Sequence, residues 1–281
     1  MPASAIKLMR IKHWSKNAGV LFALFFAGRF YFCEIALAFA GVAVFCLISS
    51  AVYILNDIMD APADRLHSIK KNRPIASGAL SVRFGCIQLA ALLAVALSIN
   101  FWLFDGPGAI LPLVYLLLNV GYSIKFKHVP ILDVMIIAGG FLIRMYYGAF
   151  IIDVPISGWL YLTTLSMALY MSLGKRRNEL LRYTGDAAEV RKVLGFYNAG
   201  FLDKNMHIFL TATIVFYALW AAYMSGAFIL SVPVVIFIAM RYSLLAETSE
   251  FADPVDILLG DKLLLGLLFI YGIGMGFLIV F

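Results

Sequence analysis

Long apolar runs constrain this chain more than any other feature of its sequence. Runs of about 20 apolar residues, the length that crosses the hydrocarbon of a bilayer as a helix, recur between short polar or Gly/Pro breaks. Because 63% of the 281 residues are hydrophobic and only 14% are charged, a soluble core could not bury them all. Runs of this length also exclude a barrel of short alternating strands. The sequence therefore predicts an all-α, multi-pass transmembrane helical bundle.

The apolar runs give about nine predicted spans. They lie near residues 18–33, 35–55, 83–104, 108–124, 130–152, 156–174, 207–225, 228–246 and 262–281. Two of the breaks, at 105–107 and 225–226, are so short that a count of eight stays open. We expect a single integral membrane domain over residues 1–281, with long polar loops near 56–82 and 175–206.

Basic residues are concentrated in alternate loops. Lys and Arg precede the first span and follow the second, fourth and sixth, whereas the other loops carry essentially only Arg29. Because cytoplasmic loops are enriched in these residues, we predict a multi-pass protein of the cell membrane whose N-terminus and long polar loops are cytoplasmic. The net charge of +6 then follows from topology, and we expect no nucleic-acid partner. Polar groups at one face favour an enzyme or a receptor over a channel.

Carboxylates gather at the end of the second span. Asn56, Asp60 and Asp64 are four residues apart and Asp57 precedes Asp60 by three, so a continuous helix places them on one face. Carboxylates on one face repel unless a cation joins them, and hard oxygen ligands suit Mg²⁺, which takes further ligands from substrate phosphates. We therefore predict that these four residues bind Mg²⁺. Pro62 would clash inside a helix, so we expect a kink before Asp64.

A basic stretch follows these carboxylates directly. Residues 65–78 read Arg-Leu-His-Ser-Ile-Lys-Lys-Asn-Arg-Pro-Ile-Ala-Ser-Gly, and their cationic side chains are suited to phosphate oxygens. Metal ligands followed by such donors indicate a diphosphate site. The pattern NDxxDxxxD followed by RPxxxG at a helix end resembles the first signature of the UbiA superfamily of membrane transferases. The resemblance extends over most of the chain and implies nine helices.

The second aspartate-rich motif of typical prenyltransferases in this superfamily is missing from the loop after the sixth span. Residues 174–180 read Gly-Lys-Arg-Arg-Asn-Glu-Leu instead, and with the stretches 10–17, 122–128 and 258–262 they resemble the decaprenyl-phosphate phosphoribosyltransferase branch. That resemblance implies Mg²⁺-dependent transfer of 5-phosphoribose from phosphoribosyl pyrophosphate (PRPP) to a polyprenyl phosphate, with release of pyrophosphate. PRPP, polyprenyl phosphate and membrane lipid are the expected partners, and the sequence is compatible with a homo-oligomer.

The resemblance also implies which residues form the site. Asp57, Asp60 and Asp64 would hold Mg²⁺ on the leaving pyrophosphate, and Lys16 would join them as a catalytic residue. The substrate-binding side chains are expected to be Lys16, Asn17, Asn56, Arg65, His67, Lys70, Arg73, Tyr122, Lys125, Lys127, Asp133, Arg144, Lys175, Arg176, Arg177, Glu179, Arg191 and Asp261. Because Arg144 lies inside a span, it belongs either to a polar cavity or to a structural pair with a carboxylate such as Asp133.

Two other functions fit the same sequence. The first keeps the enzyme class but moves a prenyl group from a prenyl diphosphate to an aromatic or other small acceptor, and the missing second aspartate motif argues against it. The second is a transporter or a lipid-binding membrane protein that uses the same cavity without chemistry. Pyrophosphate release separates both enzymes from the non-catalytic protein.

Overall fold

The computed structural model describes residues 2–66, 70–182, 192–224, 226–248 and 253–280. These residues form eleven α-helices: α1 (Pro2–Met9), α2 (Phe22–Phe26), α3 (Phe32–Leu66), α4 (Val82–Leu103), α5 (Gly106–Ile124), α6 (Leu132–Ile151), α7 (Gly158–Arg182), α8 (Ala199–Met224), α9 (Val232–Thr248), α10 (Pro254–Gly260) and α11 (Lys262–Val280). Five stretches are 3₁₀-helical: Ile11–Leu21, Lys70–Asn72, Phe126–His128, Lys192–Phe196 and Phe228–Ser231. The predicted all-α class is confirmed.

Seven helical stretches in the described part are long and apolar enough to cross a membrane. They are Phe32–Arg65, Val82–Leu103, Gly106–Ile124, Leu132–Ile151, Ala199–Met224, Phe228–Thr248 and Lys262–Val280. Each corresponds to a predicted span, which makes this an integral membrane protein, although the predicted count of nine is not confirmed. α7 covers the predicted span 156–174 but continues into charged residues, and it is not among the seven.

The first predicted span, 18–33, is not a single helix. It is divided between Ile11–Leu21, which we call the N-terminal 3₁₀ segment, and the short helix α2. Gly28 then adopts a φ of 64°, a left-handed conformation that is typical of residues just after a helix end. Runs of 3₁₀ helix longer than three or four residues are uncommon because their hydrogen-bond geometry is poor, so the N-terminal 3₁₀ segment depends on contacts with its neighbours.

α3 is longer than the predicted second span. It runs for 35 residues and ends at Leu66, so residues 56–66, which we predicted to belong to a polar loop, are helical. The helix also continues through Pro62, where we expected a kink to separate Asp64 from the other carboxylates. A proline removes one backbone hydrogen bond, here to the carbonyl of Ile58, and near the end of a helix that loss affects few further residues.

One compact unit carries the acidic end of α3, and it comprises Met1–Leu24, Phe30–Lys127 and Ile143–Val154. In it α3 packs against α4 and against the N-terminal 3₁₀ segment. A buried apolar core at the acidic end of α3 is formed by Leu8, Ile54, Ala61, Ile75 and Leu80. Because these residues come from α1, α3 and the stretch after α3, their packing brings those elements beside the carboxylates.

The other compact unit comprises Phe25–Arg29, His128–Leu142 and Pro155–Phe281. Its most extensive helix pair is α7 with α8. One apolar core of this unit includes Tyr170, Leu173, Leu194, Leu202, Met206, Tyr242 and Leu264. Leu194 lies in the 3₁₀ stretch Lys192–Phe196, so this core anchors the chain just before α8. That residues 1–281 act as a single domain stays a prediction.

Candidate active site

Two of the three aspartates near the end of α3 share one side of the helix. Asp57 and Asp64 are only 2% and 4% exposed. One guanidinium nitrogen, Nη1 of Arg73, lies 3.3 Å from Asp57 Oδ1 and 2.6 Å from Asp64 Oδ2. Asp57 and Asp64 therefore lie on the same side of the helix despite Pro62, as the spacing predicts.

Two further cations contact this helix end. Arg10 hydrogen-bonds to Asp57, and Nζ of Lys127 lies 2.7 Å from Asp60 Oδ1. Arg10 follows α1 with a left-handed φ of 52°, and Lys127 belongs to the 3₁₀ stretch Phe126–His128. Folding thus brings cations from separate parts of the chain to the acidic helix end. We call this set the α3 charge cluster; it consists of Asp57, Asp60, Asp64, Arg10, Arg73 and Lys127.

Asn56 lies next to the α3 charge cluster and is held by α5. Its Oδ1 accepts a hydrogen bond from Ser123 Oγ. Ser123 Oγ also lies 2.7 Å from the backbone carbonyl oxygen of Asn119, and Ser123 is 2% exposed. The amide oxygen of Asn56 is therefore fixed in direction beside the carboxylates.

The oxygen atoms at this helix end suit a divalent cation. Arg73 Nη1 shows that a single positive group can contact Asp57 and Asp64 at once, and carboxylate and amide oxygens are the ligands that Mg²⁺ takes. Within the described residues, no three acidic, histidine or cysteine side chains already converge as a metal-holding group. Arg10, Arg73 and Lys127 already contact carboxylate oxygens that could also ligate Mg²⁺.

A buried polar network surrounds Asn17 and Arg144, beside the part of α3 that precedes the carboxylates. These residues are 0% and 5% exposed, and Arg144 Nε donates to Asn17 Oδ1 at 2.8 Å. Nη2 of Arg144 donates to the Tyr115 hydroxyl at 2.8 Å, and the guanidinium carbon lies 4.6 Å from the centre of the Tyr115 ring. Arg144 is thus in a polar interior, and Asp133, the alternative partner considered from the sequence, binds Arg176 instead.

Arg176, which we expected to bind phosphate, is 1% exposed and paired with a buried acid. Its Nε lies 2.8 Å from Asp133 Oδ2, and it also hydrogen-bonds to Glu179. The Tyr197 hydroxyl donates to Asp133 Oδ1 at 2.6 Å and accepts from the N–H of Ile131 at 2.7 Å. Burial, and then the bond to Asp133, raise the pKa of Tyr197, which keeps its hydroxyl a donor. We call Asp133, Arg176, Glu179 and Tyr197 the buried ion-pair cluster.

The neighbouring cations of α7 are paired nearer the surface. Nζ of Lys175 lies 3.0 Å from Asp253 Oδ2, and Arg177 hydrogen-bonds to Asp203. Both cations are partly exposed, with 32% and 17% of their side chains accessible. An anion that binds Lys175 or Arg177 therefore has to compete with a carboxylate, but it does not have to enter a closed core.

Asp261 lies at the start of α11 and binds an arginine. Its Oδ2 lies 2.6 Å from Arg241 Nη2, and its Oδ1 accepts from the N–H of Leu264 at 2.7 Å. The hydrogen bond from Arg241, followed by that from the Leu264 backbone, holds the pKa of Asp261 below its usual range. In the structure Asp261 therefore caps a helix and pairs with α9.

We expect the Arg241–Asp261 pair to stabilise the fold except in acid. A lowered carboxyl pKa gives stability that is present above the unfolded value of about 3.9 and is lost as the pH falls through the folded value. The difference in melting temperature between the wild type and Arg241→Gln in detergent should therefore narrow between about pH 5 and pH 2. A difference that stays constant over that range would contradict this assignment.

The remaining predicted site residues differ in exposure. Arg65 and Lys125 are exposed, whereas Lys16, Lys70 and Tyr122 are partly buried. His67 and Arg191 lie outside the described residues.

Sequence reasoning missed Arg10, Ser123 and Tyr197 as members of these polar clusters. Arg10 is 47 residues from Asp57 in the chain, and Tyr197 is 64 residues from Asp133. No local spacing carries a signal over such separations. The one sequence cue for Arg10 was its place in the basic N-terminal stretch, which we used for orientation and, through residues 10–17, for the family resemblance.

Comparison with known proteins adds a family match and close relatives. The model of the UbiA prenyltransferase family matches residues 18–254. A decaprenyl-phosphate phosphoribosyltransferase from Corynebacterium glutamicum is 34% identical over 274 residues, which cover 92% of this chain and 81% of that protein. A protein of the same name from Mycolicibacterium smegmatis is 37% identical over 222 residues, covering 77% of this chain and 69% of that protein. The family resemblance noted from the motifs is confirmed.

Solved structures share the fold. A UbiA homologue from Archaeoglobus fulgidus bound to GPP and Mg²⁺ aligns with a TM-score of 0.73 over 99% of both chains, at 18% identity. An apo UbiA homologue from Aeropyrum pernix K1 aligns with a TM-score of 0.71 over 93% of this chain and 98% of that chain, at 16% identity. These similarities agree with the helical architecture described above.

Proposed function

This chain belongs to the UbiA prenyltransferase family as one of its membrane transferases, and from that premise we propose that it moves 5-phosphoribose from PRPP to a polyprenyl phosphate. The observation that carries the proposal is the 34% identity, across 92% of the chain, to a relative named for phosphoribosyl transfer to decaprenyl phosphate. The α3 charge cluster supplies the chemistry that such a transfer needs at its leaving group.

We assign the donor pyrophosphate to the α3 charge cluster. Asp57, Asp60 and Asp64, with Asn56 beside them, would hold Mg²⁺, which when bound neutralises charge on a departing pyrophosphate. Arg10, Arg73 and Lys127 already contact these carboxylates, so they are in reach of phosphate oxygens that approach the same acids. Charge-assisted bonds from such cations are strong, and they act where negative charge grows as the bond breaks.

Bond making at the ribose needs no strong base. The bond between C1 of the ribose and the pyrophosphate oxygen breaks, and the electron pair leaves with the pyrophosphate. An oxygen of the lipid phosphate, which is anionic at neutral pH, then forms the new bond to C1. The residues of this chain therefore act by binding, orienting and charge stabilisation, and we place Lys16 among the groups that stabilise the developing charge.

Further phosphate groups need further cations. PRPP carries a 5-phosphate besides its pyrophosphate, and the acceptor carries a phosphate of its own. Lys175 and Arg177 are our candidates for these groups, because each is partly exposed and paired with a carboxylate that a phosphate could replace. The basic residues of alternate loops support a cytoplasmic location for this chemistry.

Purified protein in detergent with Mg²⁺ tests the proposal through pyrophosphate release and product mass. We expect release with PRPP and a polyprenyl phosphate, and none with a prenyl diphosphate and 4-hydroxybenzoate. Release with the second pair alone would make the protein a prenyltransferase of the ordinary kind. Binding of lipid phosphate without release from either pair would favour the non-catalytic alternative.

A further inference from the structure

Arg144 contacts a part of the chain that leads directly to the α3 charge cluster. It lies in the membrane-spanning helix α6 and donates to Asn17 Oδ1 at 2.8 Å. We propose that Arg144 is a positioning residue for the diphosphate site: it fixes Asn17, and through Asn17 the N-terminal 3₁₀ segment that follows Arg10. The inference rests on the proposed function in one respect, which is that the α3 charge cluster binds a diphosphate.

The Asn17 amide is held on both of its sides. Its Nδ2 donates to Ser49 Oγ at 3.1 Å and to Cys46 Sγ at 3.3 Å, both on α3. Because a guanidinium group can only donate, the amide oxygen has to face Arg144, and the amide nitrogen then has to face α3. Arg144 therefore selects the one orientation of Asn17 that ties the N-terminal 3₁₀ segment to α3.

Glycines bring α6 into direct contact with the same segment. A Cβ atom on Gly148, one turn after Arg144, would lie 1.8 Å from the carbonyl oxygen of Val20. A Cβ atom on Gly19 would lie 3.7 Å from the Cβ of Arg144. The backbones of α6 and the segment are thus packed closely beside the Arg144–Asn17 bond. A change at Arg144 is therefore passed to the segment's backbone.

The segment in turn determines where Arg10 meets Asp57. Trp14 Nε1 donates to Ser50 Oγ at 3.0 Å, which gives a second side-chain anchor on α3. Ser50 precedes Asp57 by two helical turns, or about 10 Å along the axis. Arg10 comes immediately before the segment and has a strained, left-handed φ of 52°. The segment's own hydrogen bonds connect Arg10 to these anchors, because the N–H of His13 donates to the Arg10 carbonyl at 2.8 Å. If the anchors loosen, that bond no longer fixes the position and the conformation of Arg10.

Binding of inorganic pyrophosphate with Mg²⁺, measured by calorimetry on the full chain in detergent, tests this role without any transfer reaction. Arg144→Gln should weaken that binding by about 10–100-fold, the usual effect of losing a residue that orients a ligand-binding group. The matched control is Tyr147→Phe, which removes a buried hydrogen bond from the same helix, made to Asn100 Oδ1 at 2.9 Å and not to Asn17. We expect that control to bind nearly as the wild type does.

A double-mutant cycle shows whether Arg144 acts through Arg10. If it does, Arg144→Gln should add little to the loss already caused by Arg10→Gln, because the residue being positioned is gone. If the fold-losses in pyrophosphate affinity of the two single variants multiply in the double variant, the two residues act independently and the proposal is overturned. Should Arg144→Gln not fold, Ser49→Ala releases the other side of Asn17 and leaves the buried cation in place. It should weaken binding in the same direction, and unchanged binding would also overturn the proposal.

The outcomes for this inference and for the proposed function are separable. A wild-type protein that binds Mg²⁺ and pyrophosphate but transfers a prenyl group would contradict PRPP as the donor and leave the role of Arg144 testable. No binding of Mg²⁺ and pyrophosphate by the wild type would overturn both.

Discussion

Asp60→Asn is expected to slow pyrophosphate release by about 10²–10⁴-fold, because charge stabilisation by a bound metal ion is worth several kcal/mol at a departing phosphate. Among the α3 carboxylates Asp60 gives the clearest test. Its side chain is 37% exposed and contacts Lys127. Loss of the Asp60 charge therefore does not leave Lys127 as an unpaired cation in a fully buried core. The expected result is therefore a folded protein with little activity and a raised requirement for Mg²⁺.

The control for Asp60→Asn is Asp105→Asn, the same chemical change at an exposed residue before α5. Asp105 makes no side-chain capping bond to that helix. Both variants should match the wild type in melting temperature, and only Asp60→Asn should lose turnover in the PRPP and polyprenyl phosphate assay. Wild-type turnover in Asp60→Asn over a range of Mg²⁺ concentrations would contradict the assignment of Asp60 as a metal ligand.

Arg176→Met is expected to cost the largest amount of stability, about 3–5 kcal/mol, because it leaves Asp133 buried without its cation. Asp133 is 0% exposed, and Arg176 is 1% exposed. Unfolding by heat or denaturant in detergent measures the loss. If Arg176 instead served mainly to bind phosphate, the variant would unfold like the wild type and lose only turnover.

Two further variants test whether the loss of stability in Arg176→Met comes from the buried pair with Asp133. Glu179→Gln affects the same guanidinium, but Glu179 is 27% exposed, so a small loss is expected. Combining Arg176→Met with Asp133→Asn removes both buried charges and keeps an acceptor for Tyr197. The double variant should therefore regain part of the stability that Arg176→Met loses. A double variant that is less stable than Arg176→Met alone would contradict the buried ion pair as the cause.

Much of the fold could be predicted because it depends on local pattern. Apolar runs of membrane-spanning length located α4, α5, α6 and α11 within a few residues. The common face of Asp57 and Asp64 also followed from helical spacing alone. The predictions of helix bounds were wrong where a local rule competes with tertiary structure. Gly28 follows a helix end inside an apolar run that we predicted as one span. Pro62 lies inside the helix α3, where we expected a kink.

The partners of the charged residues could not be predicted, because a sequence displays charge but not burial. Arg176 and Arg177 are adjacent and look equivalent as phosphate donors. The fold buries the first against Asp133 and leaves the second at the surface with Asp203. The same limit hid Arg10, whose carboxylate partner is set by the packing of the N-terminal 3₁₀ segment on α3.

The length of α3 gives an estimate of how deep in the bilayer the carboxylates at its end lie. Asp57 is 25 residues after Phe32, the first residue of the helix. At 1.5 Å per residue, an upright α3 that starts at the opposite edge of the hydrocarbon places Asp57 about 38 Å from that edge. A hydrocarbon layer of about 30 Å ends well before that point. The carboxylates then lie at the level of lipid headgroups, where a polyprenyl phosphate already carries its phosphate. Such an acceptor could react without its chain leaving the membrane interior.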